Sequence, residues 1–218
     1  MVDRNRQINI NSYGQPGKDN ILLRFFYDRN GLNTVEVARG LLGHYLCHET
    51  ASGLISGIIV ETEAYLSNND PASHAFKGMT GRNATMFGPA GRAYIYFIYG
   101  NYYCFNVVTG LQGSGEAVLI RAVEPLSGIE LMLKNRGVKC EIRNLTNGPG
   151  KICIAYGIDK RYDGHDLRKK PLYLAENSDH GRLEIKVTPR IGISSARDKL
   201  LRFIIKGNNY LSRREPIG

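Results

Sequence analysis

Residues 93–108 read AYIYFIYGNYYCFNVV, an aromatic and β-branched stretch that is interrupted by Gly100-Asn101. Glycine and asparagine both tolerate positive φ, so this pair is suited to a tight turn between two strands. The stretch therefore predicts a protruding β-hairpin. Tyr94 and Tyr96 would share one face of its first strand, whereas Tyr99 would lie beside the turn and face the other way.

The segments on either side of the hairpin change between strand-like and helix-like patterns. Asn33 and Glu36 have the spacing of a capping box ahead of a short helix. Further short helices are expected from Gly128 to Asn135 and, beginning at Pro149, as far as Gly157. Strand-like patterns occupy residues 44–48, 54–65, 117–123, 171–175, 183–193 and 202–206. Together they predict a mixed α+β fold with a curved, largely antiparallel sheet and several short helices.

The chain has 218 residues, and no segment in its middle has the composition of a linker. We expect residues 1–20 to be a flexible polar tail and residues 21–218 to form a single domain. No apolar run is long enough to span a bilayer, and the N-terminus lacks the apolar segment of a secretory signal. These features predict an intracellular protein, cytoplasmic at a nucleoid or nuclear, without a membrane partner.

The charge balance favours a polyanionic partner. Lysine and arginine number 29 against 20 aspartates and glutamates, which gives a net charge of +9. The segment Asn147-Gly-Pro-Gly-Lys151 resembles a phosphate loop, but it lacks the upstream glycine and the following Ser or Thr of a nucleotide-hydrolysing site. It predicts a milder role, in which Gly148, Gly150 and Lys151 hold a backbone phosphate at a helix N-terminus.

No cofactor or metal is expected. Cys47, Cys104, Cys140 and Cys153 form no C-x-x-C pair, so we interpret them as reduced and largely buried thiols. A structural zinc or iron–sulfur site normally needs closer cysteine spacing. His74 has no second histidine at metal-ligand spacing, and the zinc deaminase pattern is absent from the sequence.

Two glutamates on one strand are the strongest candidates for chemistry. Alternation places Glu61, Glu63 and Tyr65 on one face of the segment, with Val60 and Thr62 on the other. This face could simply be solvated. The apolar run that precedes it indicates instead a strand that enters the core, where a carboxylate beside a pocket can act as a general base.

Arg121 is a charged residue inside an apolar strand, and a buried arginine almost always has a partner. An internal ion pair with a glutamate is the structural interpretation. If that partner is Glu63, the arginine would favour the ionised carboxylate and could share a water molecule with it. His74 lies in a loop, where a histidine is usually structural or solvated.

The hairpin tyrosines can be core residues or a nucleic-acid-binding element. A rigid hairpin with an aromatic residue at its tip, on a basic protein, is suited to insertion between bases. Stacking on aromatic side chains stabilises a base by about 1–3 kcal/mol, which offsets much of the unstacking cost.

With these pieces in place the chain, from Leu32 to Ser212, resembles the alkyladenine (3-methyladenine) DNA glycosylase family. The segments at 110–115 and 138–143 match no family pattern. The resemblance rests on the order of these motifs: Leu41-Leu-Gly, Ile59-Val-Glu-Thr-Glu-Ala-Tyr-Leu, Ala72-Ser-His, Arg82-Asn, Met86-Phe, Gly91 through Gly100, Asn106, Val118-Leu-Ile-Arg-Ala-Val-Glu-Pro-Leu and Asn147-Gly-Pro-Gly-Lys.

The resemblance implies a role for each matching residue. Glu63 would be the general base that activates water, and Arg121 would help to position that water and the carboxylate. Tyr65 would stack on one face of a flipped base, with His74 and Tyr96 against the other. The same resemblance implies a monofunctional enzyme that needs no lysine nucleophile and leaves an abasic site.

It also implies how DNA and substrate would be recognised. Tyr99 would fill the gap that the flipped base leaves in the duplex, and Asn106 would crowd the exocyclic amino group of a normal guanine. The partner would be double-stranded DNA that contains damaged purines, bound by a monomer. Contacts to the DNA backbone are expected from Arg82, Gly148, Gly150 and Lys151.

Two other function classes fit parts of the sequence. A non-catalytic nucleic-acid-binding module would account for the charge, the hairpin and the Gly-Pro-Gly-Lys loop. It gives no reason for a constellation of Glu63, Tyr65, His74 and Arg121. An RNA or nucleoside hydrolase could use the same glutamate, and excision assays on damaged duplexes distinguish all three classes.

Overall fold

The computed structural model describes residues 33–98 and 100–213, so the expected tail at residues 1–20 and Tyr99 lie outside the described residues. The strands are β1 (Tyr45–Thr50), β2 (Gly53–Tyr65), β3 (Ala93–Ile98), β4 (Tyr102–Thr109), β5 (Glu116–Ser127), β6 (Leu172–Ala175), β7 (Ile185–Thr188) and β8 (Arg202–Ile205). The α-helices are α1 (Thr34–Gly40), α2 (Ile129–Arg136) and α3 (Pro149–Tyr156), and short 3₁₀ turns cover Ala84–Phe87, Ile142–Asn144 and Lys160–Tyr162.

Strand β2 is the centre of one curled antiparallel sheet with the order β3-β4-β5-β2-β1-β6. Strand β5 pairs with β2 from Ser56 to Tyr65 along one edge. On the other edge β1 pairs with the first half of β2, and β8 pairs with Glu61–Glu63 and carries β7. This architecture confirms the predicted α+β class with a curved, largely antiparallel sheet.

One face of the sheet packs into the apolar core, and the other carries the row of residues that ends at Glu63. In an antiparallel ladder directly paired residues share a face. Ile95, Phe105 and Val118 belong to the large apolar cluster on one face, together with side chains from α1 and α3. The register aligns Tyr94 with Asn106, Asn106 with Leu119, and Leu119 with Glu63, so these four residues form a row across the opposite face.

The helix ends follow the sequence signals. Asn33 Oδ1 accepts a hydrogen bond from the Glu36 N–H at 2.9 Å, and Glu36 Oε2 accepts one from the Asn33 N–H at 2.9 Å. This reciprocal pair is the predicted capping box, which satisfies donors that the first helical turn would otherwise leave unpaired. Helix α3 begins at Pro149 and stops at Gly157, as expected.

The hairpin is confirmed as well, and one strand is shorter than predicted. Strands β3 and β4 pair from Ala93–Val107 to Ile98–Tyr102, and Gly100 has φ +70° in the turn. The segment predicted as a strand from 183 to 193 is a strand only from Ile185 to Thr188. Pro189 follows, and because proline has no N–H it cannot continue the ladder.

The four cysteines are free, and Cys47, Cys104 and Cys153 are buried while Cys140 is half-buried. Burial raises the pKa of the Cys47 thiol to about 12, which keeps it protonated at neutral pH. These states agree with the reduced thiols that the sequence predicts.

We predict that Gly57→Ala destabilises the fold by about 1–3 kcal/mol, because a Cβ atom there overpacks the core. It would lie 2.6 Å from Val123 Cγ1, 2.9 Å from the Tyr156 hydroxyl and closer still to the Glu124 carbonyl oxygen. Urea denaturation measures the change. Gly81→Ala is the matched control, since nothing lies within 4 Å of its Cβ position; equal stability of the two variants would contradict the packing argument.

Candidate active site

Glu63 is held in a fixed orientation beneath the sheet surface. Its side chain is fully buried. The Ile191 N–H donates to Oε1 at 2.8 Å, and the Tyr65 hydroxyl donates to Oε2 at 2.9 Å. Arg121 Nε lies 3.4 Å from Oε1. A carboxylate held on both oxygens has little freedom to rotate, which is the arrangement expected of a positioned base.

Arg121 reaches both glutamates from an irregular point in β5. The ladder pairs Glu61 with Ala122 and Thr62 with Ile120, so Arg121 has no register partner, as in a β-bulge. Its Nε lies 3.0 Å from Glu61 Oε1 and 3.4 Å from Glu63 Oε1. The structure thus brings Arg121 to Glu63, as the sequence suggested, and adds Glu61 as a closer partner.

The pKa of Glu63 is raised above the usual glutamate value. Burial is the dominant cause, because it disfavours the charged form. Arg121, the Ile191 N–H and the Tyr65 hydroxyl act in the opposite direction, and the charge of Glu61 adds to the increase. Arg121 therefore favours the ionised form, as expected, but it does not outweigh burial.

A cavity of about 220 Å³ opens next to this carboxylate. It brings together the four residues that the sequence assigned to base binding, and one of them, Tyr65, is hydrogen-bonded to Glu63. Its lining consists of Tyr65, Pro71, Ala72, His74, Met86, Tyr94, Tyr96, Ile98, Asn106, Gly192, Ile193 and Ser194.

Aromatic rings dominate one wall of the cavity. The ring centroids of His74 and Tyr96 are 4.5 Å apart at an interplanar angle of 73°, and those of Tyr94 and Tyr96 are 5.4 Å apart. His74 Nδ1 lies 3.1 Å from the Tyr94 hydroxyl. Partial burial lowers the pKa of His74, and the charge of Arg82 lowers it further, so the imidazole is neutral at pH 7.

A buried ion pair that the sequence does not predict lies against the Tyr65 ring. Arg190 makes two hydrogen bonds to Asp70, at 2.6 and 2.7 Å, and neither side chain is exposed. The Arg190 guanidinium carbon lies 4.7 Å from the centre of the Tyr65 ring, on which it forms a cation–π contact. Burial acts to raise the pKa of Asp70, but Arg190 and the backbone N–H groups of Leu66 and Ala72 together outweigh burial, and the pKa is lowered.

This pair connects three segments of the site. Asp70 Oδ2 accepts from the Leu66 N–H at 3.0 Å, which fixes the end of β2 just after Tyr65. Arg190 Nη1 donates to the Ala64 carbonyl at 3.0 Å. Arg190 also precedes Ile191, whose N–H contacts Glu63. No local pattern in the sequence could have revealed this pair, because its members are 120 residues apart.

The residues predicted to contact the DNA backbone flank the hairpin. Arg82 Nη2 donates to the Phe97 carbonyl at 2.7 Å. On the other side, Lys151 Nζ donates to Asn147 Oδ1 at 2.6 Å, and a Cβ atom on Gly150 would lie 3.1 Å from the Tyr102 ring. These groups therefore lie close to the hairpin strands, while the predicted wedge residue Tyr99 is outside the described residues.

Within residues 33–98 and 100–213, no group of three or more His, Cys, Asp or Glu side chains could hold a metal ion. Over the same residues no helix is long and apolar enough to cross a membrane.

The match to a family model covers residues 25–209, and the model describes methylpurine-DNA glycosylase (MPG). This range contains every site residue described above. The chain belongs to the methylpurine-DNA glycosylase family. Membership confirms the resemblance seen in the sequence and the predicted enzyme class, a monofunctional DNA-3-methyladenine glycosylase of alkylated-base excision repair.

Relatives of similar length support the same assignment. A protein of Carboxydothermus hydrogenoformans named "Putative 3-methyladenine DNA glycosylase" is 49% identical over 195 residues, which are 89% of this chain and 100% of the relative. Proteins with the same name from Methanoculleus marisnigri and Clostridium acetobutylicum are 47% and 45% identical. They align over 87% and 88% of this glycosylase, and over 97% of each relative.

We predict that Arg190→Met destabilises this glycosylase by about 3–5 kcal/mol, because it leaves the buried Asp70 carboxylate without its counter-charge. Thermal or urea unfolding measures the change. Arg161→Met is the control, since Arg161 pairs with Asp159 but is 80% exposed, and little change is expected there. A stability loss at Arg190 no larger than that of the control would show that the ion pair does not stabilise the fold.

Proposed function

We propose that this glycosylase flips alkylated or deaminated purines out of duplex DNA and hydrolyses the N-glycosidic bond with a water molecule activated by Glu63. The expected bases are 3-methyladenine, 7-methylguanine, hypoxanthine and ethenoadenine, and the product is an abasic site. The observation that carries the proposal is a buried carboxylate of raised pKa, hydrogen-bonded to a tyrosine that forms the wall of an aromatic cavity.

The chemistry follows from the charge of the substrate. A 3- or 7-methylpurine is cationic, so its bond to deoxyribose is weak and the base leaves as a neutral molecule. The oxygen of water forms the new bond to C1′, and Glu63 accepts the proton. The same carboxylate would stabilise the positive charge that develops on the sugar, as in other glycosidic cleavages. Arg121 would orient the attacking water molecule and the Glu63 carboxylate.

The cavity supports recognition by stacking. Tyr65 would lie against one face of the base, with His74 and Tyr96 against the other, and aromatic faces attract a cationic ring. Asn106 lines the same cavity, and its Nδ2 donates to the Tyr94 carbonyl at 3.1 Å. This bond would fix the amide where it crowds the amino group of guanine. A neutral base such as hypoxanthine would need help at the leaving group, which a loop amide near His74 could give.

DNA binding would use the hairpin and the basic groups around it. Tyr99 would occupy the gap in the duplex, and the backbone would be contacted by Arg82, Gly148, Gly150 and Lys151. The net charge of +9 supports a sequence-independent grip on phosphates that weakens with salt. We further propose that residues 21–218 act as one domain, as a monomer, in the nucleoid-containing cytoplasm or a nucleus.

We predict that Glu63→Gln lowers the excision rate by about 10²–10⁴-fold, the usual contribution of a general base. Single-turnover release of 7-methylguanine from a duplex, with alkali to cleave abasic sites, measures the rate. Binding to a duplex that carries an abasic analogue should stay close to the parent value, which controls for folding. Retained full activity would contradict the assignment of Glu63.

We predict that Tyr99→Ser loses most lesion binding, because nothing then fills the space that the flipped base leaves, and that excision falls with it. Stacking of this kind is worth about 1–3 kcal/mol. A 2-aminopurine reporter beside the lesion measures flipping, and filter binding measures affinity. Tyr99→Phe keeps the ring and should keep both; unchanged single-turnover excision by Tyr99→Ser would rule out the wedge.

A further inference from the structure

Glu61 is the carboxylate that the proposed reaction does not use, yet it is fully buried beside the one that it does. Glu61 Oε1 accepts from Arg202 Nε at 2.7 Å and from the Ser212 hydroxyl at 2.7 Å, and it lies 3.0 Å from Arg121 Nε. Glu61 Oε2 accepts from the Ser212 N–H at 2.7 Å. None of these partners of Glu61 lines the cavity, whereas Glu63 is hydrogen-bonded to Tyr65, which does, so Glu61 is not the carboxylate next to the substrate.

The arginines that neutralise the two glutamates are not divided evenly. Arg202 contacts Glu61, while Arg121 lies between the carboxylates and is 0.4 Å nearer to Glu61, at 3.0 Å against 3.4 Å. Ser212 Oγ also accepts a hydrogen bond from Arg121 Nε at 3.1 Å, which holds the guanidinium on the Glu61 side. Within the part of the chain that the structure describes, Glu63 therefore has only a share of one arginine, Arg121.

We propose that Glu61 is a positioning residue for Glu63: it retains Arg121 between the two carboxylates and prevents the guanidinium from pairing with Glu63 alone. Arg202, on β8, and Ser212, which follows β8 in the chain, hold Glu61 in place through their hydrogen bonds to its carboxylate. A base that formed a full ion pair would be a weaker proton acceptor, because the pair stabilises its charged form. The inference rests on the proposed role of Glu63 as the base.

The other groups around Glu63 come from every packed element. Tyr65 lies on the same strand, and the Ile191 N–H comes from the segment after β7. The remaining charged or titratable neighbours are Arg121 on β5, Cys104 on β4, Arg190 before Ile191, Arg202 on β8 and Glu61 itself. Substitution of Glu61 or Arg202 leaves the direct hydrogen bonds of Glu63 in place. Because the charge of Glu61 also acts directly on Glu63, each substitution is repeated in an Arg121→Met background, where the sharing is absent and the shift should be smaller. An equal shift in that background would contradict the sharing of Arg121.

The two substitutions should act in opposite directions. Glu61→Gln keeps an oxygen that Arg202 can contact, but it removes the charge that competes for Arg121, so the pKa of Glu63 should fall. Arg202→Met removes a counter-charge from Glu61, which then draws Arg121 more strongly, so the pKa of Glu63 should rise. Changes of about one pH unit are typical of a charge at this distance.

The experiment is a pH profile of excision from a 7-methylguanine duplex, measured below saturation so that it reports the free enzyme. The acid limb should move down by about one pH unit in Glu61→Gln and up by about one in Arg202→Met, which is about a tenfold rate difference at a fixed pH on the limb. Arg202→Lys retains the charge and should restore the parent profile. If Glu61→Gln does not fold, the Arg202 pair of variants decides the question.

Asp166→Asn is the matched control. Asp166 is another buried carboxylate held by arginine, with Arg168 Nη2 at 2.7 Å, but it is not among the groups that shift the pKa of Glu63. It should lower the melting temperature without moving the acid limb. The inference is wrong, and Glu61 is merely structural, if Glu61→Gln and Arg202→Met lower the melting temperature without moving the acid limb. It is also wrong if the two variants move the acid limb in the same direction as each other.

A second readout separates this inference from the proposed function. The carboxyl band of Glu63, identified as the infrared difference band that Glu63→Gln lacks, titrates without any substrate. If Glu63→Gln keeps full activity, the proposed base is wrong, but the opposite shifts of this band still test the sharing of Arg121. If Glu63→Gln is inactive and the band does not move in the variants, the inference alone fails.

Discussion

Glu61 and Glu63 lie fully buried on one face of β2, and burying an ionised carboxylate costs several kcal/mol unless charge and hydrogen bonds compensate for it. The flanking strands provide that compensation. Arg121 comes from β5 through a shift in the ladder register, and Arg202 comes from β8. The site therefore depends on the strand order around β2, because loss of either neighbour would remove one of the two arginines that compensate for the two buried carboxylates.

The two faces of β2 have different roles, because one packs into the apolar core and the other carries the glutamates of the site. Thr62 and Ala64 point away from the glutamates: the Thr62 hydroxyl donates to the Ala38 carbonyl of α1, and Ala64 enters the large apolar cluster. From Glu61 to Tyr65 successive residues alternate faces, whereas the register shift between Ile59 and Glu61 places Ile59 in the same apolar cluster as Ala64. A one-residue slip would exchange the two sets and bury polar groups in the core, so the apolar face fixes the register that aligns the site.

Several features of the fold and of the site can be predicted from the sequence, because the residues that indicate them are close together in the chain. Alternation identified Glu61, Glu63 and Tyr65 as one face, the Gly-Asn pair located the hairpin, and the Asn33 capping box set the start of α1. The sequence does not predict the Asp70–Arg190 ion pair or the hydrogen bond from the Ile191 N–H to Glu63. A backbone donor has no residue signature, and a pair that forms only when distant loops meet depends on the tertiary fold. The predicted strand from 183 to 193 is too long, because Pro189 has no N–H and the ladder ends at Thr188.

The distribution of charge explains how a basic protein can hold a cationic base. Among the described residues, those that line the cavity carry no positive charge at neutral pH, because the pKa of His74 is lowered and the remaining lining residues are aromatic, aliphatic or neutral polar. Arg190 does contact the Tyr65 ring, but Asp70 neutralises it at 2.6 Å. Positive charge thus remains at positions such as Arg82 and Lys151, beside the hairpin. In the proposed complex, a cationic base in the cavity would meet aromatic rings, with the buried carboxylate of Glu63 behind the hydroxyl of Tyr65, whereas phosphates would meet the exterior. Attraction for the DNA backbone and attraction for the damaged base are in this way kept from opposing each other.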